Sequence, residues 1–294
     1  PEVTFDPRDI SFWKSLAPTL HIYDGDYFKK QRVFNRTVIN RDLLLEQVLT
    51  EGYSQLSPLD WELPLQAMID LIETLYQMHI PITFCYLFDE FWYLFMRLHH
   101  SFEDILGQKY QRLPDFWAWR VDPKQQERGW RVHRDKNFDT LFSNGMPKSL
   151  SVWIPLSDAT TSNGCMYVLP ADRDPTYRKR EALTEHWEDI APDIRALPVS
   201  AGGALIWNQM VWHWGSHSNK RGQAPRYSLA VEFQALPTNT VPYYNLPLSN
   251  PLLLLTFKTR LLLIAKQILQ YQHMYPLSDD VALLATKLIE ELQF

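Results

Sequence analysis

Hydrophobic and polar positions divide the chain into a helical first part, a strand-rich middle and a helical end. In the first part, one amphipathic run stops at Gly52 and a longer one is ended by Pro81, as expected for helix boundaries. Helices are predicted over 41–49, 64–79, 253–272 and 279–291, and the run 84–100 is strongly aromatic.

The middle of the chain has the two-residue alternation of half-buried strands. In Arg226–Phe233, Tyr, Leu and Val alternate with Arg, Ser and Ala, and Gly203–Trp212 predicts a strand that enters a turn at Gly215. We therefore expect one elaborated domain over 1–294 with a mainly β core and flanking α-helices. Its parts are a helical lid region over 1–110, the strand-rich core over 111–237 and C-terminal helices over 238–294.

Composition and charge narrow the class of partner. The formal net charge of −5 does not suit a nucleic-acid surface, and two cysteines give no disulfide framework. No apolar run reaches the length of a membrane span, and residues 1–6 have no signal-peptide character. We expect a cytoplasmic protein that binds a small molecule and neither nucleic acid nor membrane. The oligomeric state stays open.

Two histidines and an aspartate have the spacing of a metal site. His133 and Asp135 lie two positions apart, so on a strand they point to the same face, and His213 follows 80 residues later. A β-barrel or a double sheet would bring the distant histidine to the first pair. Two histidines and one carboxylate on a triangular face are the ligand set of non-heme iron(II) oxygenases.

A second pair of side chains fits a carboxylate. Arg226 and Ser228 share one face of their predicted strand, and a guanidinium with a neighbouring hydroxyl can hold a carboxylate through charge-assisted hydrogen bonds. The alternative is a structural arginine that pairs with an acidic neighbour.

From Trp130 to Phe233, the sequence resembles the phytanoyl-CoA dioxygenase family of iron(II)- and 2-oxoglutarate-dependent oxygenases. The resemblance is carried by segments 129–135 (GWRVHRD), 151–160 (SVWIPLSDAT) and 163–170 (NGCMYVLP), together with the distal histidine and Arg226. The chain departs from the family pattern at 171–173, where Ala-Asp-Arg replaces Gly-Ser-His.

The resemblance implies a double-stranded β-helix, also called a jelly-roll or cupin-like fold. It implies iron(II) held by His133, Asp135 and His213, with 2-oxoglutarate and O2 as cosubstrates, and places Trp153 beside the cosubstrate. His217 is the alternative distal histidine. The family spacing favours His213, so His217 is expected as a pocket residue that binds substrate.

The resemblance also implies a hydroxylase that tailors a small natural product, such as a cylindrospermopsin-type alkaloid. The alternatives are an acyl-CoA hydroxylase, a cupin-type metal oxygenase without cosubstrate and a jelly-roll binding protein with a vestigial site. Since Asp135 is a carboxylate, hydroxylation is favoured over halogenation. Further candidate substrate ligands, for which structural roles are the alternative, are Arg131, Trp130, Asp24 and Asp26.

Overall fold

Eight strands form two antiparallel sheets. The computed structural model describes residues 5–136, 139–179, 187–236, 250–272 and 278–292. The strands are β1 (Tyr53–Leu56), β2 (Tyr110–Val121), β3 (Ser149–Pro155), β4 (Met166–Leu169), β5 (Arg195–Leu197), β6 (Ala204–Asn208), β7 (Trp212–Gly215) and β8 (Arg226–Ala235). One sheet has the order β1-β6-β3-β8-β2 and the other has the order β5-β4-β7. This is the mainly β, jelly-roll-like core that the sequence predicted.

Both faces of the five-stranded sheet are buried, and they differ in chemistry. On β8, Leu229, Val231 and Phe233 belong to a large hydrophobic core that also contains the helices of the first part. The alternate positions, from Arg226 to Glu232, face the three-stranded sheet, as the two-residue period of a strand requires. The core between the sheets is smaller and includes Trp153 and Trp207.

Helices cover the outer face of the five-stranded sheet because each has an apolar side that needs a partner. The helices are α1 (Ile10–Leu16), α2 (Gly25–Lys30), α3 (Arg41–Thr50), α4 (Leu65–Gln77), α5 (Glu90–Arg97), α6 (His99–Leu106), α7 (Trp187–Ile190), α8 (Phe257–Gln270) and α9 (Asp279–Leu292). The predicted helices α3, α4, α8 and α9 are found close to their expected limits. Residues 238–249 of the predicted C-terminal part lie outside the described residues. No helix within the described ranges combines the length and apolarity needed to cross a membrane.

The strongly aromatic run 84–100 contains the end of a 3-10 turn over Ile82–Leu87, all of α5 and the start of α6. One local strand prediction was wrong. The run 203–212 contains β6 and the start of β7, which lie in different sheets. The chain crosses between the sheets after Asn208, whose carbonyl accepts the amide of Val211 (3.1 Å).

The lid prediction for residues 1–110 also needs correction. The apolar side chains of this region pack in the core on the outer sheet face, and none of its described residues lines the cavity between the sheets. The aromatic side chains that suggested a lid instead fill the space between helices and sheet, where their large apolar area is removed from water.

A buried ion pair joins the first and last parts of the chain. Asp89 and Arg260 are both fully buried and 2.6 Å apart, and the Asp89 carboxylate accepts the amides of Tyr23 and Asp24 (2.9 Å each). Arg260 also donates to the carbonyl oxygen of Leu87 (2.7 Å). The pair holds α8 and the segment before α2 against residues 87–89, which lie just before α5.

We predict that Asp89→Ala lowers the free energy of unfolding by about 3–5 kcal/mol, because it leaves the Arg260 guanidinium buried without its counter-ion. Urea denaturation measures this loss. Asp26→Ala is the matched control, since Asp26 is exposed and pairs only with Lys29 on the surface; its effect should stay within about 0.5 kcal/mol. Equal stabilities of the two variants would contradict the structural role of the pair.

Candidate metal centre and carboxylate-binding pocket

A cavity that opens to solvent lies between the two sheets. Its wall combines aromatic rings with a few charged side chains, which is typical of a small-molecule site. Its lining includes Trp117, Trp119, Trp130, His133, Asp135, Ser151, Trp153, Trp207, His213, Arg226 and Glu232.

The two histidines predicted as metal ligands face each other across a short antiparallel bridge. The amide of His133 donates to the carbonyl of His213 (3.1 Å), and the amide of His213 donates back (3.0 Å). His133 therefore lies in an isolated bridge and not in the regular strand expected from the sequence. The bridge still brings both imidazoles to one point, with ring centroids 4.3 Å apart.

Asp135 completes a compact set of three donor atoms. Its Oδ1 lies 3.5 Å from His133 Nε2 and 3.3 Å from His213 Nε2. The three ligand atoms are all within 4.8 Å of one another. His133, Asp135 and His213 are thus brought together as predicted.

Backbone carbonyls define the tautomers of both histidines. His133 Nδ1 lies 2.7 Å from the carbonyl oxygen of Arg131, and His213 Nδ1 lies 3.0 Å from that of Val211. Because a carbonyl oxygen can only accept, each Nδ1 carries the proton and each Nε2 presents its lone pair to the shared point. Such outer hydrogen bonds orient metal-binding imidazoles.

The carboxylate of Asp135 is oriented by two donors. Ser151 Oγ donates to Oδ2 at 2.6 Å and Trp207 Nε1 donates to the same oxygen at 2.8 Å, while Gln209 Nε2 donates to Ser151 Oγ at 3.2 Å. This leaves Oδ1 directed at the two imidazoles. Burial alone would raise the pKa of Asp135, but the neighbouring His213 and His133 hold it well below its usual range.

The donor set fits iron(II). Two neutral imidazole nitrogens and one carboxylate oxygen converge from one side, and the cavity leaves room for further ligands on the other. Ser151 and Trp207 had no assigned role in the sequence, although the alternation of β3 and β6 places both on the inward face.

Arg226 is a buried cation without a protein counter-ion. It is 2% exposed, and among the described residues it forms no salt bridge and its Nε has no hydrogen-bond partner. It donates to Ser228 Oγ, and its guanidinium lies 5.4 Å from the centre of the Trp153 ring. Burial lowers the pKa of Arg226 to about 10. Since a buried charge needs a partner, this pocket fits an external carboxylate.

The other predicted site residues divide into two groups. Trp130 lines the cavity, where it packs against Trp117 and Trp119. Arg131 and His217 are exposed and lie outside the cavity wall. Arg131 does not share the inward face because its segment is not a regular strand; its backbone carbonyl accepts from His133.

The acidic residues of the α2 region also lie elsewhere. Asp24 is the N-cap of α2 and accepts the amides of Asp26 and Tyr27 (2.9 Å each). Asp26 forms a surface pair with Lys29. Neither lines the cavity, so the structure gives no support to their assignment as substrate ligands.

Glu232 is a cavity residue that the sequence analysis did not identify. It is 8% exposed, and its Oε2 accepts from Lys136 Nζ at 2.7 Å. Burial raises the pKa of Glu232 to about 8, although Lys136 opposes the shift. The two-residue alternation of β8, which places Glu232 on the same inward face as Ala230, could have identified it from the sequence.

Comparisons with known proteins give the family and the fold. Residues 74–227 match the family described as Phytanoyl-CoA dioxygenase (PhyH). Three solved structures resemble the fold: the non-heme alpha-ketoglutarate-dependent carbocyclase SnoK from nogalamycin biosynthesis (16% identity, 69% of this chain, 87% of that chain, TM-score 0.52), AviO1 from Streptomyces viridochromogenes Tue57 (15%, 71%, 100%, 0.50) and HygX from Streptomyces hygroscopicus with nickel and 2-oxoglutarate bound (14%, 68%, 88%, 0.51).

We predict that His213→Ala weakens iron(II) binding by more than about 100-fold, because loss of an outer hydrogen bond alone costs 10–100-fold at metal sites. Anaerobic iron(II) titration followed by calorimetry measures the change. His217→Ala is the control and should bind iron like the parent protein. Loss of iron from the His217 variant together with retention by the His213 variant would reverse the assignment of the distal ligand.

We predict that Arg226→Ala raises the 2-oxoglutarate concentration for half-maximal binding at least tens-fold, an effect on the order of 2–5 kcal/mol for a buried charge pair. Arg226→Lys should restore only part of the affinity, since a point charge does not reproduce the guanidinium fork. Ser228→Ala should have a milder effect. Calorimetry under anaerobic conditions gives all three values, and an unchanged requirement in Arg226→Ala would refute the carboxylate pocket.

Proposed function

The chain belongs to the phytanoyl-CoA dioxygenase family, and from this premise we propose that it hydroxylates an unactivated C–H bond of a small organic molecule held in the cavity. As a member of the family it is an iron(II)- and 2-oxoglutarate-dependent oxygenase that uses O2. The hydroxylation and the class of substrate are our proposals.

The observation that supports the proposal most strongly is the unpaired Arg226 in the same cavity as the ligand triad. His133, Asp135 and His213 would hold iron on one side. Arg226 and Ser228 would bind the distal carboxylate of 2-oxoglutarate, and Trp153 would pack against it. A cupin-type oxygenase without cosubstrate has no use for such a buried cation.

The chain supplies binding, orientation and exclusion of water. The chemistry that iron provides when bound is activation of O2, which converts 2-oxoglutarate to succinate and CO2 and gives one oxygen atom to the substrate. The tryptophans of the cavity wall keep water from the reacting atoms. The fixed tautomers of His133 and His213 keep both Nε2 atoms aimed at the metal.

Asp135 favours hydroxylation over halogenation. A halide would need a free ligand position on the metal, and the carboxylate of Asp135 would fill that position. Because Ser151 and Trp207 hold the other carboxylate oxygen of Asp135, the side chain cannot rotate away without loss of both hydrogen bonds.

A small natural product suits the cavity better than an acyl-CoA does. Among the described residues of the wall, Arg226 is the cation, and we assign it to the cosubstrate. A coenzyme A thioester would need further basic groups for its phosphates. We therefore propose a tailoring hydroxylase of secondary metabolism. SnoK, which shares the fold, acts in nogalamycin biosynthesis.

We predict that turnover with 18O2 places one labelled oxygen atom in the product hydroxyl and forms succinate in equal amount. Mass spectrometry of the product and succinate quantification measure both. Reactions in H2 18O with unlabelled O2 serve as the control. Addition of excess chloride or bromide should give no halogenated product, and recovery of one would contradict the role of Asp135.

The class of oxygenase has a separate test. Anaerobic addition of iron(II) and 2-oxoglutarate should give a weak visible charge-transfer band, which requires both on the same centre. Iron binding without this band would favour an oxygenase that needs no cosubstrate. Absence of iron binding would indicate a binding protein with a vestigial site.

A further inference from the structure

Glu232 is the charged group of the cavity that the proposed chemistry does not use. Of the charged side chains that the described residues contribute to the wall, the triad would bind iron and Arg226 would bind the cosubstrate. Glu232 remains, and it is nine-tenths buried. A buried carboxylate on the wall of a reaction cavity is costly unless it has a partner.

The groups behind Glu232 provide, among the described residues, one cation for two carboxylates. Lys136 Nζ lies 2.7 Å from Glu232 and 3.7 Å from Asp115, so one ammonium faces both. Asp115 is fully buried; its Oδ1 accepts from the Tyr271 hydroxyl, and its Oδ2 has no hydrogen-bond donor. Because Lys136 can neutralise only one of the two carboxylates, a cation in the cavity would supply the missing partner.

Three tryptophans line the same cavity as Glu232, and Trp117 lies opposite Ala230, two residues from Glu232 on β8. Trp130 meets Trp117 and Trp119 edge-to-face, with ring centroids 4.5 and 5.1 Å apart, and Trp117 and Trp119 stack on each other at 5.8 Å. All three line the cavity together with Glu232. Indole faces attract cations through their quadrupole, and Trp is the strongest of the aromatic side chains in this respect.

The location of Glu232 separates it from the carboxylate pocket and brings it near the metal centre. Glu232 on β8 lies opposite Ser151 on the neighbouring strand β3, and the Ser151 hydroxyl donates to Asp135. Arg226 lies six residues away on the same face of β8, which is about 20 Å of extended strand. A ligand held by Glu232 would therefore leave the carboxylate pocket free.

We propose that Glu232, supported by Asp115 and Lys136, binds a cationic nitrogen of the substrate beside the metal centre, in the cavity that Trp117, Trp119 and Trp130 also line. The proposal rests on the proposed function and narrows its substrate to molecules with a protonated amine, a guanidinium or a quaternary ammonium group. Glu232 is a specificity-determining residue in this scheme and takes no part in oxygen activation.

The test compares two probes of the same shape and different charge. Choline and its neutral isostere 3,3-dimethylbutan-1-ol are titrated by calorimetry into the protein loaded with nickel(II) and 2-oxoglutarate, which does not turn over. We expect choline to bind at least about tenfold more tightly than the alcohol. Equal affinities would overturn the proposal.

Two variants locate the preference. Glu232→Gln keeps the shape of the side chain and a carbonyl oxygen for Lys136, and it should reduce the choline affinity about tenfold without changing that of the alcohol. Glu290→Gln makes the same change on the exposed side of α9 and should behave like the parent protein. An unchanged choline affinity in Glu232→Gln would refute the assignment. If this variant does not fold, Trp117→Leu changes the tryptophan nearest to Glu232 in the strand register, and an unchanged preference for choline in that variant would refute the proposal.

Failure of this proposal is distinguishable from failure of the proposed function. The charge-transfer band depends on the triad and Arg226, and Glu232→Gln should retain it. A band without preference for choline would reject only the cation site, whereas absence of the band in the parent protein would reject the proposed function.

Discussion

The pairing of β8 between β3 and β2 is the constraint on which the rest of the molecule depends. Side chains alternate along a strand, so one register puts Leu229, Val231 and Phe233 against the helices and puts Arg226, Ser228 and Glu232 on the inward face. A slip by one residue would exchange the two sets. It would bury three charged or polar side chains among apolar helices, and the cavity would lose its chemistry.

The cavity can be understood as a set of charges that need external partners. The triad has a carboxylate and two lone pairs that face each other, Arg226 has no anion among the described residues, and the Glu232 cluster has one cation for two carboxylates. Each excess corresponds to a ligand of opposite charge. The metal dication, the distal carboxylate of the cosubstrate and a cationic group of the substrate would therefore each bind opposite one of these groups and reduce its desolvation cost.

Local spacing predicted the pair of His133 and Asp135, the inward pair of Arg226 and Ser228 and several helices, because these depend on residues close together in sequence. The choice of His213 came from the family resemblance. The i, i+2 pair of His133 and Asp135 and the alternation around Arg226 needed no knowledge of the tertiary structure. The split of 203–212 into two strands was not predicted, since the crossing at Asn208 depends on which sheet each half joins. Arg131 and His217 were misplaced for the same reason: proximity in sequence to a ligand did not determine the direction of their side chains.

Glu232 shows the remaining limit. The sequence shows a glutamate on the inward face of β8. Its electrostatic environment depends on Lys136 and Asp115, which come from two other segments of the chain. The lid expectation failed for a related reason, because aromatic side chains serve equally well in a cover and in a core. Tertiary packing selected the core for most of the first 110 residues.

The reciprocal bridge between His133 and His213 has a consequence for metal selection. Two backbone hydrogen bonds and two carbonyl contacts orient both imidazoles through the chain's own interactions. A site with two imidazoles and one carboxylate follows the general affinity order of divalent metals, in which iron(II) ranks below nickel, copper and zinc. Discrimination in favour of iron would then depend on the supply of metals around the protein, and zinc would compete for the same three ligands.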